Sequence, residues 1–525
     1  MKKFNLPFAL SFFLIMLCLS SCKEEKAVNI LYIMSDDHAY QAVSAYGHGL
    51  NSTPNLDRLA REGVMFTNAF CTNSICAPSR AVVLTGKFSH LNGHLDNSTT
   101  FDGSQVTVPK LLREAGYETA MIGKWHLRSD PTGFDFWKVL LGQGPYYNPD
   151  LKDSTGVHNY EGYTTTVITD EALNWLKSRN GEKPFFLMLH HKAPHRNWMP
   201  EPKYFNFEEK NFPVPENYFD NYENRGRAAK EQKMSVIEDM MIGYDLKVLN
   251  PDTSIKQPGD QWIIGMLERL TPEQREAWDD HYVKIAEDFY SRNLEGRELA
   301  LWKYQRYMRD YLACIQSVDD QVGRILNYLD ETGLAENTAV FYTSDQGFYL
   351  GEHGWFDKRF IYEESLGMPL LVRLPGSENG GVTSDALVQN LDFAETFLDL
   401  AGAPIPTEMQ GESLLGPIRA AQNSEAVPDG WRKSIYYHYY EYPGAHSVKR
   451  HYGVRNERYK LVHFYYDIDE WEMYDLEKDP NEINNIIDDP EYADILAEMK
   501  NELARLQEKY GDNLEKAVEL LPGKE

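Results

Sequence analysis

Polar side chains of the kinds used in catalysis follow four apolar runs of this sequence. They are Asp36 and Asp37 after residues 27–34, Lys124 and His126 after 117–122, the stretch from His190 to His195 after 185–189, and Asp345 and Gln346 after 339–342. Such near-continuous apolar runs predict strands of a sheet that is covered on both faces. Because ligands of open parallel sheets bind beyond the carboxyl ends of the strands, we predict one shared pocket.

Oxygen ligands dominate two of these strand ends. Asp36 and Asp37 at one end, with Asp345 and Gln346 at another, offer carboxylate and amide oxygens, and no Cys or His pair has zinc-like spacing. Hard cations prefer such ligands, and several converging protein oxygens favour Ca²⁺ over Mg²⁺. The alternative is that the aspartate pair caps a helix and that Asp345 begins a turn.

The run Cys76-Ala77-Pro78-Ser79-Arg80, followed by Leu84-Thr85-Gly86, resembles the signature of the type I formylglycine-dependent sulfatases of the alkaline phosphatase superfamily. In that family a dedicated maturation enzyme oxidises the cysteine to formylglycine, whose hydrated aldehyde is the nucleophile. Further blocks in the same order extend the resemblance over most of residues 27–485; they are Asp36-Asp37, Gly123-Lys124-Trp125-His126, Pro194-His195, Ser344-Asp345-Gln346-Gly347, Gly351-Glu352-His353-Gly354, Lys358, Tyr474-Asp475-Leu476, Asp479-Pro480 and Glu482.

The resemblance implies a role for each candidate residue. The cation would be held by Asp36, Asp37, Asp345, Gln346 and the modified Cys76. The other implied roles are Arg80 on the formylglycine hydrate, Lys124 and Lys358 on the sulfate oxygens, His126 on a hydroxyl of the hydrate, and His195 as the general acid for the leaving alcohol. The family often has asparagine at the position of Gln346, so we expect metal binding with slightly altered geometry.

The block from Asp345 to Arg359 and the tail around His451 look most like those of N-acetylglucosamine-6-sulfatases. Asp357, Arg359 and His451 are therefore candidate substrate-binding residues, with ordinary surface salt bridges as the alternative. The implied function is exo-acting hydrolysis of the 6-O-sulfate of N-acetylglucosamine, from heparan-type or other host glycosaminoglycans or from mucin glycans. The sulfated saccharide and the maturation enzyme are the implied partners.

Two other functions are compatible with parts of the sequence. One is a phosphonate or phosphate monoester hydrolase of the same superfamily, and the closer version of it also uses formylglycine. The other is a lipoprotein that only captures sulfated glycans. Cys76, Arg80 and His195 argue against a binder, since capture needs no nucleophile.

The elements that must position these residues alternate between strands and helices, with helical patterns at residues 55–62, 108–114 and 169–178. We predict an α/β fold of the alkaline phosphatase type, with a mixed, mainly parallel sheet flanked by helices. The predicted catalytic domain spans residues 28–407 and contains a helical insertion at 201–301. A helix over 298–329 follows, on which Asp319 and Asp320 are interpreted as a solvated face. Residues 408–525 predict a smaller subdomain, with strands at 435–440 and 459–465 in an antiparallel sheet and a helix at 491–509.

The first residues predict export. Two lysines, an apolar run and the tetrad Leu19-Ser20-Ser21-Cys22 indicate a lipoprotein signal peptide over residues 1–21, with lipid on Cys22 and a polar tether over 22–27. A plain signal peptide with an incidental cysteine is the alternative. We therefore expect a lipoprotein of a Gram-negative bacterium, anchored in the outer membrane and facing the periplasm or the cell surface, with no other membrane contact.

Composition limits the partners further. The formal net charge of −27 argues against nucleic acid and requires an anionic substrate to meet a local group of cations. Of five cysteines, Cys71, Cys76 and Cys314 remain after the signal peptide and the lipidation site. An odd number in an exported protein predicts a special role for one of them, and a disulfide between Cys71 and Cys76 is the alternative from spacing alone.

Overall fold

The structure is a computed structural model that describes residues 27–376 and 379–521. The predicted signal peptide, Cys22 and nearly all of the tether lie outside the described residues. The strands are β1 Asn29–Ser35, β2 Val64–Phe66, β3 Ala69–Phe70, β4 Glu118–Gly123, β5 Phe136–Leu140, β6 Asp150–Asp153, β7 Gly156–Asn159, β8 Phe185–His190, β9 Thr338–Ser344, β10 Tyr349–Leu350, β11 Phe356–Asp357, β12 Leu370–Arg373, β13 Val382–Ser384, β14 Val388–Gln389, β15 Ser434–Tyr439, β16 His451–Asn456, β17 Tyr459–Phe464 and β18 Glu470–Asp475.

Helices connect these strands and cover the sheet. They are α1 Pro54–Glu62, α2 Cys76–Thr85, α3 Ser89–Asn92, α4 Val108–Glu114, α5 Thr164–Ser178, α6 Arg227–Glu231, α7 Asp260–Leu267, α8 Pro272–Arg292, α9 Gly296–Glu331, α10 Glu363–Leu366, α11 Phe393–Leu400, α12 Leu415–Asn423, α13 Ala493–Tyr510 and α14 Leu514–Glu519. Helices α1 and α5 pack against α9, whereas α2, α4 and α11 pack against one another. No helix within the described ranges is both long and apolar enough to cross a membrane.

The central sheet has ten strands in the order β13-β2-β12-β9-β1-β8-β4-β5-β6-β7. The four predicted strands are the adjacent β9, β1, β8 and β4, and all their mutual pairings are parallel. Every residue of β1, β8 and β9 is buried, as expected for strands covered on both faces. Strands β12, β6 and β7 pair antiparallel at the sides, which makes the sheet mixed. The predicted fold class is confirmed.

The smaller sheet follows the linker and is wholly antiparallel, in the order β15-β16-β17-β18. The predicted strands at 435–440 and 459–465 correspond to β15 and β17, and α13 packs across this sheet as the predicted helix. Side chains of both regions, including Ile435 and Tyr437, belong to the main hydrophobic core. The boundary between residues 407 and 408 stays a prediction.

Helix α9 is longer than predicted, and one interpretation of its face is wrong. Asp319 is 3% exposed, and its carboxylate accepts hydrogen bonds from the backbone N–H groups of Asn55 and Leu56 at 2.9 to 3.2 Å. These groups belong to the first turn of α1, where backbone N–H groups have no partner within the helix. Asp319 is therefore a cap supplied by another helix, whereas Asp320 is partly exposed and pairs with Lys203.

Candidate active site

The parallel register brings the acidic strand ends together. Met34 pairs with Thr343 and Ser35 with Ser344, so the residues after β1 and β9 leave the sheet side by side. The backbone N–H of Asp37 donates to Asp345 Oδ1 at 3.1 Å. Asp36, Asp37 and Asp345 offer carboxylate oxygens that lie within 4.8 Å of one another, and all three residues are buried. The predicted convergence of carboxylates is therefore present in the structure.

Three buried cations face these carboxylates. Arg80 donates from Nε and Nη2 to Asp345 Oδ2 at 3.1 and 2.8 Å. Lys358 Nζ lies 2.7 and 2.8 Å from the two oxygens of Asp37, and Lys124 forms an ion pair with Asp36. These three side chains thus form a local group of positive charges in a negatively charged protein, which is the arrangement that binding of an anionic substrate would require.

The buried charges shift one another's pKa values. Burial would raise the pKa of Asp345, but Arg80, Lys124 and Lys358 outweigh it and hold the pKa below its ordinary value. Burial would lower the pKa of Lys358, but Asp357 and Asp37 outweigh it and raise the pKa. Burial lowers the pKa of Lys124 well below its ordinary value. The carboxylate of Asp345 therefore stays ionised at neutral pH.

The donor set suits a hard cation. Besides the three carboxylates, the side-chain oxygen Gln346 Oε1 is buried and accepts no hydrogen bond from the described residues. The amide nitrogen of Gln346 donates to Asp37 Oδ1, which leaves Oε1 as the free end of the side chain. Carboxylate and amide oxygens without a thiolate or imidazole pair match Ca²⁺ or Mg²⁺ better than zinc.

Cys76 is the first residue of α2 and is 1% exposed. Pro78 occupies the first helical turn, where its missing N–H costs no hydrogen bond, and the N–H of Ala77 donates to Asn97 Oδ1 at 3.2 Å. Burial raises the pKa of the Cys76 thiol to about 12, so an unmodified side chain would stay a neutral thiol. Cys71, Cys76 and Cys314 are free, so the alternative disulfide is absent from the described residues.

His195 lies across the site from the carboxylates. Its Nε2 is 3.9 Å from Asp37 Oδ2, and ligand atoms of His195, Cys76 and Asp36 lie within 4.8 Å of one another. Its Nδ1 lies 2.7 Å from the carbonyl oxygen of Arg196. Because a carbonyl only accepts, Nδ1 carries a proton, and Nε2 faces the site. Burial and the nearby Lys124 and Lys358 lower the pKa of His195 well below its ordinary value.

His126 occupies the end of β4 as predicted, and its Nδ1 has no hydrogen-bond partner among the described residues. Burial, with Lys124 and Arg80 nearby, lowers its pKa well below the ordinary value, so the ring is neutral. Positive φ angles cluster around this site, at Asp37 (64°), His126 (58°), Asp357 (76°) and Arg359 (101°). Non-glycine residues rarely adopt this region, and such strained residues concentrate at functional sites.

The predicted substrate residues divide into two groups. Asp357 is the last residue of β11 and directly precedes Lys358, and Arg359 Nε lies 3.1 Å from Asp357 Oδ1. His451 contacts the backbone instead. It is fully buried, its Nε2 accepts from the backbone of Ile361 at 3.1 Å, and its Nδ1 lies 2.7 Å from Lys449 O. The burial of the ring and these two backbone contacts favour a packing role, and substrate binding by His451 stays a prediction.

Another histidine of the same segment takes the place expected for His451. His446 Nε2 lies 3.3 Å from Asp357 Oδ2, and its Nδ1 lies 2.5 Å from Lys233 O. A second residue that the sequence analysis did not single out is Lys192. It is 3% exposed, its Nζ lies 4.4 Å from the ring centre of Tyr146, and burial lowers its pKa to about 8. Its position within the stretch from His190 to His195, at a strand end predicted to face the pocket, is the sequence feature that could have identified it as a candidate site residue.

The fold and this arrangement of charges define a class of hydrolase. Carboxylates and cations at the carboxyl edge of a mainly parallel sheet, around a residue that begins a buried helix, suit hydrolysis of an ester whose acid part carries negative oxygens. The chain matches the Sulfatase family profile over residues 28–403 and that of N-sulphoglucosamine sulphohydrolase, C-terminal, over 351–509. It therefore belongs to the sulfatase family and is a sulfuric ester hydrolase.

Similar proteins include an N-acetylglucosamine-6-O-sulfatase of Bacteroides thetaiotaomicron, 50% identical over 95% of this chain and 90% of that protein. The solved structure of BT4656 in complex with its substrate D-glucosamine-2-N,6-O-disulfate is 50% identical, with a TM-score of 0.89 over 94% of this chain and 99% of that one. The multifunctional alkaline phosphatase superfamily protein PehA of Trinickia caryophylli is 27% identical over 85% of this chain and 87% of that protein.

Proposed function

We propose that this sulfatase removes the 6-O-sulfate of N-acetylglucosamine from the ends of sulfated glycan chains. The observation that carries this proposal is the group formed by Asp357, Arg359 and His446 beside the sulfate-facing Lys358. These side chains offer hydrogen-bonding groups to sugar hydroxyls next to a cation that binds sulfate. The name of the similar Bacteroides enzyme and the substrate bound in the BT4656 structure, D-glucosamine-2-N,6-O-disulfate, support the same substrate class.

The residues of the chain divide the reaction between them. Lys124 and Lys358 bind sulfate oxygens, and the N-terminus of α2 adds the positive end of a helix dipole. Arg80 orients the side chain of residue 76, which lies one helical turn before it. His195 keeps a proton on Nδ1 and faces the ester oxygen with Nε2; the negative charge of a bound sulfate ester favours the doubly protonated ring, from which Nε2 gives its proton to that oxygen as the bond to sulfur breaks, because a sugar alkoxide is a poor leaving group. His126, which is neutral, accepts a hydrogen bond from the nucleophile.

A modified residue and a metal ion complete the proposal. Formylglycine derived from Cys76 by a maturation enzyme supplies a hydrated aldehyde as the nucleophile, which accounts for an otherwise unreactive buried thiol. Asp36, Asp37, Asp345, Gln346 and residue 76 would hold a Ca²⁺ ion, which would supply positive charge to the nucleophile and to a sulfate oxygen. Both assignments rest on the donor set and on family resemblance.

The setting of the enzyme is also part of the proposal. The tetrad Leu19-Ser20-Ser21-Cys22 supports an exported lipoprotein of a Gram-negative bacterium, anchored to the outer membrane. There the enzyme acts on heparan-type or other host glycosaminoglycans or on mucin glycans. The alternatives to a sulfatase with this substrate are a phosphonate or phosphate monoester hydrolase and a protein that binds sulfated glycans without hydrolysing them.

A substrate panel separates these possibilities. Purified enzyme is assayed on N-acetylglucosamine-6-O-sulfate, on its 3-O-sulfated isomer, and on a matched pair of nitrophenyl sulfate and nitrophenyl phosphate. We expect turnover of the 6-O-sulfate above the isomer, and of the sulfate ester above the phosphate ester. Preference for the phosphate would favour the superfamily alternative, whereas saccharide binding without release of sulfate would favour the binder.

A further inference from the structure

We propose that Arg196 and Asp245 are positioning residues for His195, so that the inserted segment at 201–301 sets the orientation of the general acid. This inference rests on the proposed function, in which His195 protonates the leaving oxygen. Arg196 and Asp245 act on His195 through the backbone carbonyl group of Arg196.

The contact that orients His195 is made by a backbone carbonyl. The oxygen of Arg196 accepts the Nδ1–H of His195 at 2.7 Å, and Lys192 Nζ lies 3.4 Å from the same oxygen. A proton fixed on Nδ1 leaves Nε2 as the nitrogen that exchanges a proton with the substrate. The other side of the His195 backbone is also held, since Tyr146 Oη donates to His195 O at 2.5 Å. The position of the Arg196 carbonyl group therefore determines the direction in which His195 Nε2 points.

The Arg196 side chain fixes that peptide to the inserted segment. Its Nε and Nη2 donate to Asp245 Oδ1 and Oδ2 at 2.6 and 2.7 Å, a bidentate pair in which Asp245 is fully buried. The carboxylate has a further partner within its own segment, the N–H of Met241 at 2.8 Å. A planar guanidinium held at two points is a geometric restraint that a single charge contact does not provide.

The same inserted segment also holds the loop that carries the sulfate-binding lysine. Phe356 N donates to Met234 O at 3.0 Å, and Val236 N donates to Gly354 O at 2.9 Å. The Arg196 guanidinium lies 5.5 Å from the ring centre of Tyr244 and 5.1 Å from that of Phe356. Phe356 directly precedes Asp357 and Lys358. The ion pair therefore joins the acid and the sulfate-binding loop to one support.

A positioning role has a signature that a structural role lacks. If Asp245 matters only because it aims His195, its replacement should harm the enzyme only while His195 is present. A residue that merely stabilises the fold should instead lower activity by the same factor with or without His195. Misplacement of a catalytic group by about 1 Å can cost about 10²-fold in rate, so the expected effect is large enough to measure.

The test is a double-mutant cycle of Asp245→Asn with His195→Ala in the full-length enzyme. We measure kcat and KM on N-acetylglucosamine-6-O-sulfate. In the wild-type background Asp245→Asn should lower kcat by about 10-fold or more with little change in KM, whereas in the His195→Ala background it should change kcat by less than about twofold. Arg196→Lys keeps the positive charge but loses the two-point contact of the guanidinium with Asp245, and it should lower kcat in the same way, only while His195 is present.

Arg458 and Asp475 provide a matched control. Arg458 donates from Nε and Nη2 to the two oxygens of Asp475 at 2.9 and 2.8 Å, on the small sheet. Asp475→Asn should change kcat equally in both backgrounds. Equal factors for Asp245→Asn or Arg196→Lys in both backgrounds would overturn the inference alone. If His195→Ala turned over the sugar sulfate at the wild-type rate, the acid role would fail first and the inference with it. Thermal unfolding identifies any variant that does not fold, and the other variant then decides the result.

Discussion

His446 Nε2 lies 3.3 Å from Asp357 Oδ2, and this contact links the loop before β16 to the residue that directly precedes Lys358. The pair joins the smaller sheet region to the main domain at the edge of the active site. Arg359 extends the link, because its Nη1 lies 2.6 Å from Glu441 Oε1. The proposed saccharide subsite is therefore built by both regions of the chain.

This geometry predicts a loss of saccharide recognition from Asp357→Ala and from His446→Ala. Each removes a polar contact to sugar hydroxyls, so kcat/KM on N-acetylglucosamine-6-O-sulfate should fall about 10-fold or more. Activity on a nitrophenyl sulfate, which lacks those hydroxyls, should change far less. His463→Ala is the matched control, since His463 Nε2 pairs with Asp469 Oδ1 at 2.8 Å away from the site. Parallel losses on both esters would remove the subsite assignment.

The acid role of His195 predicts a dependence on the leaving group. His195→Ala should slow hydrolysis of the sugar sulfate by about 10²-fold or more and that of an aryl sulfate much less, because a phenolate leaves without full protonation. Lys124→Ala should depress both substrates by similar factors, since the sulfate is common to them. The comparison requires kcat/KM for both variants on both esters. Equal losses for His195→Ala would point instead to His191, whose ring nitrogens are buried without partners among the described residues.

The oxygen-rich donor set predicts dependence on a hard cation. Treatment with a chelator should remove activity, and Ca²⁺ should restore it better than Zn²⁺. Asp37→Ala and Asp345→Ala should behave like the chelated enzyme and should not respond to added Ca²⁺. The measurement is activity and bound metal content across the same samples. Full activity of metal-stripped enzyme would contradict the cation site.

Asp319 predicts a pH effect on stability rather than on catalysis. Burial raises its pKa from 3.8 to about 6. The folded state then holds more protons than the unfolded state between these values, so this group makes the protein less stable as pH rises from about 4 to about 6. As pH rises through this range, the free energy of unfolding of Asp319→Asn should therefore increase relative to that of the wild type, by up to about 3 kcal/mol.

Urea unfolding at several pH values measures this difference, with Asp320→Asn as the control at the neighbouring, more exposed position. The wild-type and Asp319→Asn curves should diverge as pH rises, whereas the Asp320→Asn curve should run parallel to the wild type. Parallel curves for Asp319→Asn would show that the carboxylate does not titrate in this range.

The sequence predicts the core of the sheet well because β1, β4, β8 and β9 have apolar central residues and are followed by polar residues. Parallel pairing then places all four ends at one edge without further information. Strands β16 and β18 are harder to recognise, since His451–Asn456 and Glu470–Asp475 mix charged, polar and aromatic residues. Their burial comes from neighbouring strands and α13, which a local pattern does not contain.

The site residues divide in the same way. Asp36, Asp37, Cys76, Arg80 and Asp345 belong to motifs that a strand end or a helix start fixes locally. The choice between His446 and His451 depends on where β16 begins: His451 is its first residue and turns into the packing, whereas His446 lies in the preceding loop. The contact between Arg196 and Asp245 depends on how the insertion folds back, which residue spacing does not predict.

The central claim is that residue 76 acts on the sulfate ester as an aldehyde derived from Cys76. The most direct test is mass spectrometry of the peptide that contains Cys76, from preparations of different specific activity, with Cys76→Ala as the inactive reference. We expect activity on N-acetylglucosamine-6-O-sulfate to rise in proportion to the fraction of peptide in which the thiol-bearing carbon has become an aldehyde. Fully active enzyme with an unmodified thiol at Cys76 would contradict the account.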